Sequence, residues 1–393
     1  MLNRRRYILW LPSWYPNNLQ LYNGDFVQRH AQAVSLFERI EVIHVIRDVE
    51  GNVTKDILTE VHEQGNLRET IIYYYQPRNS FNFIGRLFSH RKYKNLYRTA
   101  ILQLINEKGK PALVHSYIAL KAGSIALWLK EKYHIPYVVS EQSTIYLNES
   151  HPNLADLPLA FRYLARKIYN NALQVMVVSN YLGDRLRHLY KIAAPVIIPN
   201  VVNDTIFNFV NKHTPKQNTF IHISTLNYQK NPEQIIEAVK LIKEKNVDVK
   251  IYIVGPRNID LIELVKRLNL EDNVIFLHER PQSELVSIMK ECIGLILFSR
   301  YETFGCVLIE AFACGLPVIV SDIPVFHENV SNANGLFAEN ENATDLADKM
   351  FELISGIKTF DATSLSKAAL DKYNYEKIGE QISQWYNNIL LKD

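Results

Sequence analysis

Ile293-Gly-Leu-Ile-Leu-Phe298 is a strand-length run without a polar side chain, and comparable runs recur along the chain. A strand that is apolar on both faces must be covered on both. A parallel sheet clad by helices does this, whereas an antiparallel sheet with one wet face does not. In the second half, runs near Phe220–Ser224, Lys250–Val254, Val274–Leu277, Ile293–Phe298 and Pro317–Ser321 alternate with helical patterns near Pro232–Glu244, Ile259–Leu268, Ser283–Glu291 and Gly305–Cys314. In the first half, strands are expected near Tyr7–Leu11, Glu41–Ile46, Leu113–Ser116, Tyr137–Ser140, Val175–Ser179 and Val196–Ile198, with helices between them that include Asp25–Leu36, Gly123–Tyr133 and Leu159–Asn170. This alternation predicts βαβ units, hence an α/β fold of two Rossmann-like doubly wound sheets, each binding ligands at the carboxyl ends of its strands.

The length of 393 residues suits two domains. Pro199-Asn-Val-Val-Asn-Asp-Thr-Ile-Phe, followed by the polar run Asn211–Asn218, is the expected linker. The domains are therefore drawn as 1–198 and 199–374, with a terminal helix at 375–393 returning to the first. Three cysteines, Cys292, Cys306 and Cys314, lack paired spacing, which argues against a disulfide framework or a structural zinc site and for a reducing compartment, the cytoplasm. After the basic Arg4-Arg-Arg, the apolar run Tyr7–Leu11 is cut by Pro12, too short for a signal-peptide core and better read as a buried strand. No apolar run approaches the length of a membrane span.

Charge is unevenly spread. Residues 1–200 carry 25 Lys/Arg against 15 Asp/Glu, and residues 201–393 carry 19 against 26, so the halves stand at +10 and −7. A basic half suits an anionic partner, either a membrane or a phosphate-bearing acceptor; no nucleic-acid motif accompanies it. From Thr70 to Asn106 there is no acid, while Arg78, Arg86, Arg91, Lys92, Lys94 and Arg98 interleave with Phe81, Phe83, Phe88, Tyr93 and Tyr97. Two readings stay open: a segment lying on an anionic membrane, or a solvated helix with its aromatics turned inward.

The stretch from Phe298 to Ser321 reads strand, loop, helix, glycine stop, strand. Glu302 lies in the loop, and Glu310 is the only charge between Gly305 and Asp322. A carboxylate in so apolar a helix is costly to bury without hydrogen bonds, and a ribose diol would supply two. The alternatives are favour from the helix dipole or pairing with a distant arginine. Gly305 opens the helix, so backbone N–H groups near Phe304–Cys306 could face a phosphate.

Glu302-x7-Glu310 followed by Ala311-x-Ala313-x-Gly315-x-Pro317-Val-Ile resembles the signature of the retaining glycosyltransferase family 4, which has the GT-B fold. Trp14-Tyr-Pro with Gly24-Asp-Phe-Val, Val114-His-Ser, Val139-Ser-Glu-Gln-Ser, Ile198-Pro-Asn-Val-Val, Lys230-Asn-Pro-Glu and Tyr375–Leu391 extend the resemblance over nearly the whole chain. It implies a nucleotide diphosphate sugar donor, UDP- or GDP-linked. Lys230 would contact its diphosphate, Glu310 the ribose and Glu302 the sugar; Gly24 would let backbone approach the phosphate, and His115 would stand in the cleft. Three positions depart from the family. Ser224-Thr225-Leu226 lacks the usual phosphate arginine, which Arg300 or Arg280 would have to replace. His115-Ser-Tyr and Glu141-Gln142 replace two histidine motifs. No Asp-x-Asp triplet is present, so the expectation is a metal-independent, hexosyltransferase-like enzyme without a cofactor. Its leaving group would be stabilised by cations and helix N-termini. The expected acceptor is a glycan or lipid-linked glycan of surface polysaccharide synthesis, with peripheral contact at the inner face of the cell membrane. A small soluble acceptor, a nucleotide-sugar epimerase and a silent binding protein of the same fold remain as alternatives.

Overall fold

The computed structural model describes residues 6–77, 83–209, 215–216 and 218–391, and only the backbone of 83–88. The first domain runs β1 (Ile8–Pro12), α1 (Asp25–Ser35), β2 (Ile40–Asp48), β3 (Ile57–Gln64), β4 (Leu67–Tyr75), α2 (Phe83–Lys108), β5 (Leu113–Tyr117), α3 (Gly123–Tyr133), β6 (Tyr137–Glu141), α4 (Leu159–Asn171), β7 (Val175–Val177), α5 (Asn180–Tyr190) and β8 (Val196–Ile197). The second runs β9 (Thr219–Ile223), α6 (Pro232–Glu244), β10 (Lys250–Val254), α7 (Ile259–Arg267), β11 (Val274–Leu277), α8 (Gln282–Met289), β12 (Gly294–Leu297), α9 (Cys306–Ala313), β13 (Val318–Ser321), β14 (Gly335–Ala338), α10 (Ala343–Ile354) and α11 (Ala362–Tyr373), and α12 (Tyr375–Leu390) closes the chain.

Among the described residues, the strands form one sheet in the order β3-β4-β2-β1-β5-β6-β7-β8 and another in the order β11-β10-β9-β12-β13-β14. Every pairing is parallel except β3 with β4. The apolar runs lie where double coverage demands: β1, β5, β6 and β12 are buried along their whole length. The β3–β4 hairpin was not foreseen. It turns through Gly65 at φ 59°, and β3 is an exposed edge strand rich in polar residues, so it carries no apolar run to betray it.

Helix α12 joins the two ends of the chain. Asn374 caps it by accepting from Lys377 N at 2.7 Å, and Ile378, Ile382, Trp385, Tyr386 and Ile389 form a buried stripe at helical spacing. The stripe packs on α1 of the first domain. The contact is close because Gly379 has no side chain: a Cβ there would stand 2.2 Å from Ala33 O. Burying each of these large side chains contributes roughly 1.5–3 kcal/mol, enough to hold the second domain's last helix on the first.

The acid-free segment divides. Arg78 and Phe81 lie outside the described residues, as do the side chains of Phe83, Arg86 and Phe88. In the described part, Tyr97 is buried and its hydroxyl accepts from Val45 N at 3.2 Å. Lys92 donates to Tyr75 O at 3.2 Å and lies over the Tyr74 ring, and Arg98 lies over the Trp128 ring. There the aromatics turn inward and these two bases cover aromatic faces. Among the described residues no helix is long and apolar enough to cross a membrane.

Candidate active site

The second domain presents its chemistry where β12 leaves the sheet. Residues 298–305 loop out, Gly305 takes φ 86°, and α9 starts at Cys306 with no side-chain cap. A Cβ on Gly305 would press on Leu297, Leu308 and Phe326 at 3.1–3.2 Å, so glycine serves both the conformation and the packing. Across the cleft α1 starts in the same way: Gly24 has φ 79° and no side chain caps the helix. A Cβ there would stand 2.4 Å from the Trp14 carbonyl carbon. The close approach that Gly24 permits is thus to the Trp14–Tyr15 backbone of its own domain. At α9 the first-turn N–H groups have no side-chain cap, whereas at α1 the Asp25 carboxylate accepts from Phe26 N at 2.7 Å.

Glu302 is buried in the loop before α9. It accepts from Ser299 Oγ at 3.1 Å and pairs with the ammonium of Lys230. Lys230 is set by a short turn in which the Asn227 side chain accepts its backbone N–H at 3.3 Å. Asn231 follows at φ 54° and Pro232 opens α6. Lys230 and Glu302 are therefore brought together, and Gly305 lies three residues beyond.

Glu310 stands one turn into α9, buried, with Arg29 Nη1 at 2.5 Å from its Oε1. Arg29 stands on α1 one turn after Asp25, to which its other terminal nitrogen reaches at 3.3 Å. Burial pushes the Glu310 carboxyl up and Arg29 holds it back down. Burial likewise opposes the Arg29 charge, but Asp25 and Glu310 outweigh that and hold its pKa above the ordinary value. Arg29 Nε has no hydrogen-bond partner among the described residues. Arg29 was not foreseen, since an arginine in an amphipathic helix reads as a solvated residue.

Other contacts close the cleft. Gln282 Nε2 donates to Asp25 Oδ2 at 3.3 Å, Thr303 Oγ1 to Gln142 O at 2.8 Å, and Asn180 N and Tyr181 N to the Glu328 carboxylate at 2.7 and 2.8 Å. Gln142 is anchored by Glu141, which accepts from the backbone of Ala119, Gln142 and Ser143 and from the Tyr169 hydroxyl.

Several expected site residues stand elsewhere. His115 is mid-strand in β5 and fully buried, hydrogen-bonded to the Tyr386 hydroxyl of α12 and to Ser140 Oγ at 2.6 Å. Burial holds its pKa well below the usual histidine value, so it is a neutral packing residue under α12 and not a cleft histidine. Phe304 is buried against Tyr373. The Cys306 thiol is pushed up to about 12, chiefly by burial, which leaves it protonated. Arg300 does not join the group: it pairs with Glu341 at 2.7 Å, donates to Tyr228 O at 2.5 Å and covers the Tyr228 ring. Arg280 pairs with Glu284 on the surface of α8. Thus neither arginine takes the place left by Thr225.

Comparison with known proteins agrees with this architecture. Residues 203–385 match the family described as Glycosyl transferases group 1, and residues 59–205 match Glycosyltransferase Family 4. An O-antigen chain mannosyltransferase of Salmonella typhimurium is 28% identical over 285 residues, covering 69% of this chain and 78% of that one. Among solved structures, sucrose-phosphate synthase from Thermosynechococcus elongatus superposes with a TM-score of 0.79 at 18% identity, covering 99% of this chain and all of that one. HepE of Anabaena, solved in complex with UDP, gives a TM-score of 0.72 at 17% identity, covering 97% of this chain and all of that one. The last two likenesses are of fold.

Proposed function

This chain belongs to the glycosyltransferases of the GT-B fold, and we propose that it moves a hexose, with retention of configuration, from a nucleotide diphosphate sugar to a hydroxyl of a glycan or lipid-linked acceptor in surface polysaccharide synthesis. The carrying observation is the group at the start of α9: a helix opened by a left-handed glycine without a side-chain cap, with Lys230 paired to Glu302 beside its first turn and Glu310 one turn further in. A helix N-terminus and an ammonium together favour a diphosphate. As the sugar leaves, charge grows on the diphosphate, and Lys230 and the α9 amides are fixed in place before it does. Lys230 then moves its pairing from Glu302 to phosphate, which frees Glu302 to accept from sugar hydroxyls. Glu310 accepts from the ribose diol once Arg29 yields its oxygen. No metal is required in this scheme, because the leaving charge meets side-chain and backbone donors.

The acceptor reading rests on the Salmonella typhimurium relative, named as a mannosyltransferase of the O-antigen chain, and on the basic first half. A thermal-shift panel of UDP- and GDP-sugars tests the donor. A donor at about 100 times its dissociation constant adds about 2.7 kcal/mol of stability. Proton NMR of the product's anomeric signal then tests retention. A chain that no nucleotide diphosphate stabilises is not this enzyme.

A further inference from the structure

α4 carries apolar side chains on its outer face. Its inner face is set by Ala165, Ile168 and Tyr169, all buried. Leu159 and Tyr163 lie one turn apart on the opposite side, 76% and 70% exposed, with Phe161 half-exposed at the helix tip. Arg162 and Arg166, both exposed, are interleaved with them. No acidic residue occurs from Leu157 to Gly183, and the chain half that carries α4 stands at +10. One exposed leucine needs no explanation. Three large apolar side chains within five residues, flanked by arginines and without a carboxylate in that stretch, have the composition of an interfacial helix: aromatic and aliphatic groups that enter the headgroup layer and cations that meet its anions.

The place of α4 in the fold adds to this. β6 ends at Glu141, and the next carbonyl, of Gln142, already meets Thr303 across the cleft. The chain crosses the rim of the first domain through two short turns, at Thr144–Tyr146 and Leu154–Asp156, before α4 runs back toward the start of β7. The first turn of α4 therefore stands on the cleft-side edge of the first domain.

We propose that the exposed N-terminal end of α4, with Leu159 and Phe161 at its tip and Arg162, Tyr163 and Arg166 beside them, docks on an anionic lipid bilayer and sets the mouth of the cleft at the membrane surface. The link to the acceptor rests on the transferase reading; the surface itself does not. Arginines hold the phosphates while their stems and the tyrosine ring span the boundary. Docking here brings a lipid-linked acceptor to the cleft by diffusion in two dimensions.

Co-sedimentation of the full chain with phosphatidylcholine vesicles, with and without one-quarter phosphatidylglycerol, tests the surface. The wild type partitions onto the anionic vesicles, and salt weakens this. Arg162→Gln/Arg166→Gln lowers the partition coefficient about thirty-fold, at about fivefold per arginine. Leu159→Ser/Phe161→Ser/Tyr163→Ser lowers it at least tenfold, and Tyr163→Ser alone serves if the triple variant folds poorly. Arg91→Gln/Lys94→Gln on α2 leaves it unchanged. The proposal is overturned if the wild type ignores anionic vesicles, if the α2 variant and not the α4 variants loses binding, or if sedimentation velocity shows a dimer that the triple variant abolishes, which makes the patch a self-contact. Turnover of a water-soluble donor stays at the wild-type rate in all α4 variants. If the wild type lacks that turnover while vesicle binding still follows α4, the transferase reading fails and the docking surface stands.

Discussion

Arg29 of α1 and Glu310 of α9 form an ion pair across the cleft, 2.5 Å from Nη1 to Oε1, with each side chain only 5% exposed. The carboxylate proposed to take a donor's ribose is thus held by a cation from the facing domain. Removing one partner of a buried pair leaves the other charge uncompensated, which costs more than the pair contributes. Arg29→Ala is expected to destabilise the protein by about 3–5 kcal/mol, the range for such a loss. Arg29→Ala/Glu310→Gln should recover most of that, and denaturant unfolding of the four proteins in the cycle measures the coupling. Additive losses in the cycle would show that the pair is not formed in solution.

The same pair gives a pH signature. Burial raises the folded-state pKa of Glu310, and Arg29 holds the rise in check. Without Arg29 the carboxyl rises further. For an acid raised on folding, the destabilisation is absent below the unfolded pKa and grows as pH climbs toward the folded pKa. The deficit of Arg29→Ala relative to wild type is therefore small in acid and largest near neutrality. Unfolding curves between about pH 4 and pH 7 check this; a deficit independent of pH contradicts it.

Glu310→Gln isolates binding from folding better than truncation does, because the amide keeps the shape. If the carboxylate takes the ribose diol, the variant should bind donor about ten- to a hundredfold more weakly, the value of roughly 1.5–3 kcal/mol for a charge-assisted hydrogen bond. Titration calorimetry with the donor found in the thermal-shift panel gives the number. Unchanged affinity would remove Glu310 from the ribose.

His115 illustrates where sequence and structure part. The family resemblance implies a cleft position for His115, but the strand extends to Tyr117 and α12 returns from 271 residues away to seal it with Tyr386. His115→Ala is expected to lower stability by roughly 2–4 kcal/mol, since it opens a cavity and leaves two buried hydroxyls without a partner, while kcat of the folded fraction stays unchanged. A large kcat loss at unchanged melting temperature would restore it to the chemistry.

What the residues disclosed and what they withheld follows from the range of the interactions. Uninterrupted apolar strands and the glycine stops around α9 are local, so the two sheets and the burial of Glu310 could be read directly. Polar edge strand β3 carries no such run. The pairing of Arg29 with Glu310 spans 281 residues and depends on how two domains close, which no local pattern encodes. Arg300 or Arg280 was expected to replace the missing phosphate arginine; the backbone and guanidinium of Arg300 are instead taken by Gln229 and Tyr228, an arrangement set by the turn that also places Lys230.

A second pH effect concerns the whole fold. His30, His44 and His222 are buried with pKa values lowered to about 4 by burial, and His115 lies well below its usual value. Each is neutral when folded and binds a proton near pH 6.5 when unfolded. Groups with a depressed folded pKa contribute stability above the unfolded pKa and lose it as pH falls toward the folded one. Stability should decline from about pH 6.5 to about pH 4, with a slope of up to about 1.4 kcal/mol per pH unit for each histidine. Urea unfolding across that range measures it, and His222→Gln should make the slope shallower. An unchanged slope in that variant would show that the ring is charged in the folded protein.

Lys230 and Glu302 bear most directly on mechanism, because structure and chemistry make separable demands on them. Their side chains are paired and are 18% and 6% exposed. Lys230→Ala therefore leaves Glu302 buried without its cation and lowers stability, which a surface lysine would not do. Glu302→Gln added to it should restore the melting temperature by removing that charge. Activity should behave otherwise. If the ammonium stabilises the leaving diphosphate, Lys230→Ala lowers kcat and kcat/KM by roughly 10²–10³, the scale for one preorganised donor. The double variant then stays below Glu302→Gln alone, because the phosphate contact is lost whether or not Glu302 is charged. If Lys230 serves only to hold Glu302, the double variant matches Glu302→Gln in kcat. A rise in KM at constant kcat in Lys230→Ala would instead assign the lysine to donor binding in the ground state. Steady-state kinetics on the four proteins, with melting temperatures taken in parallel, separates these outcomes.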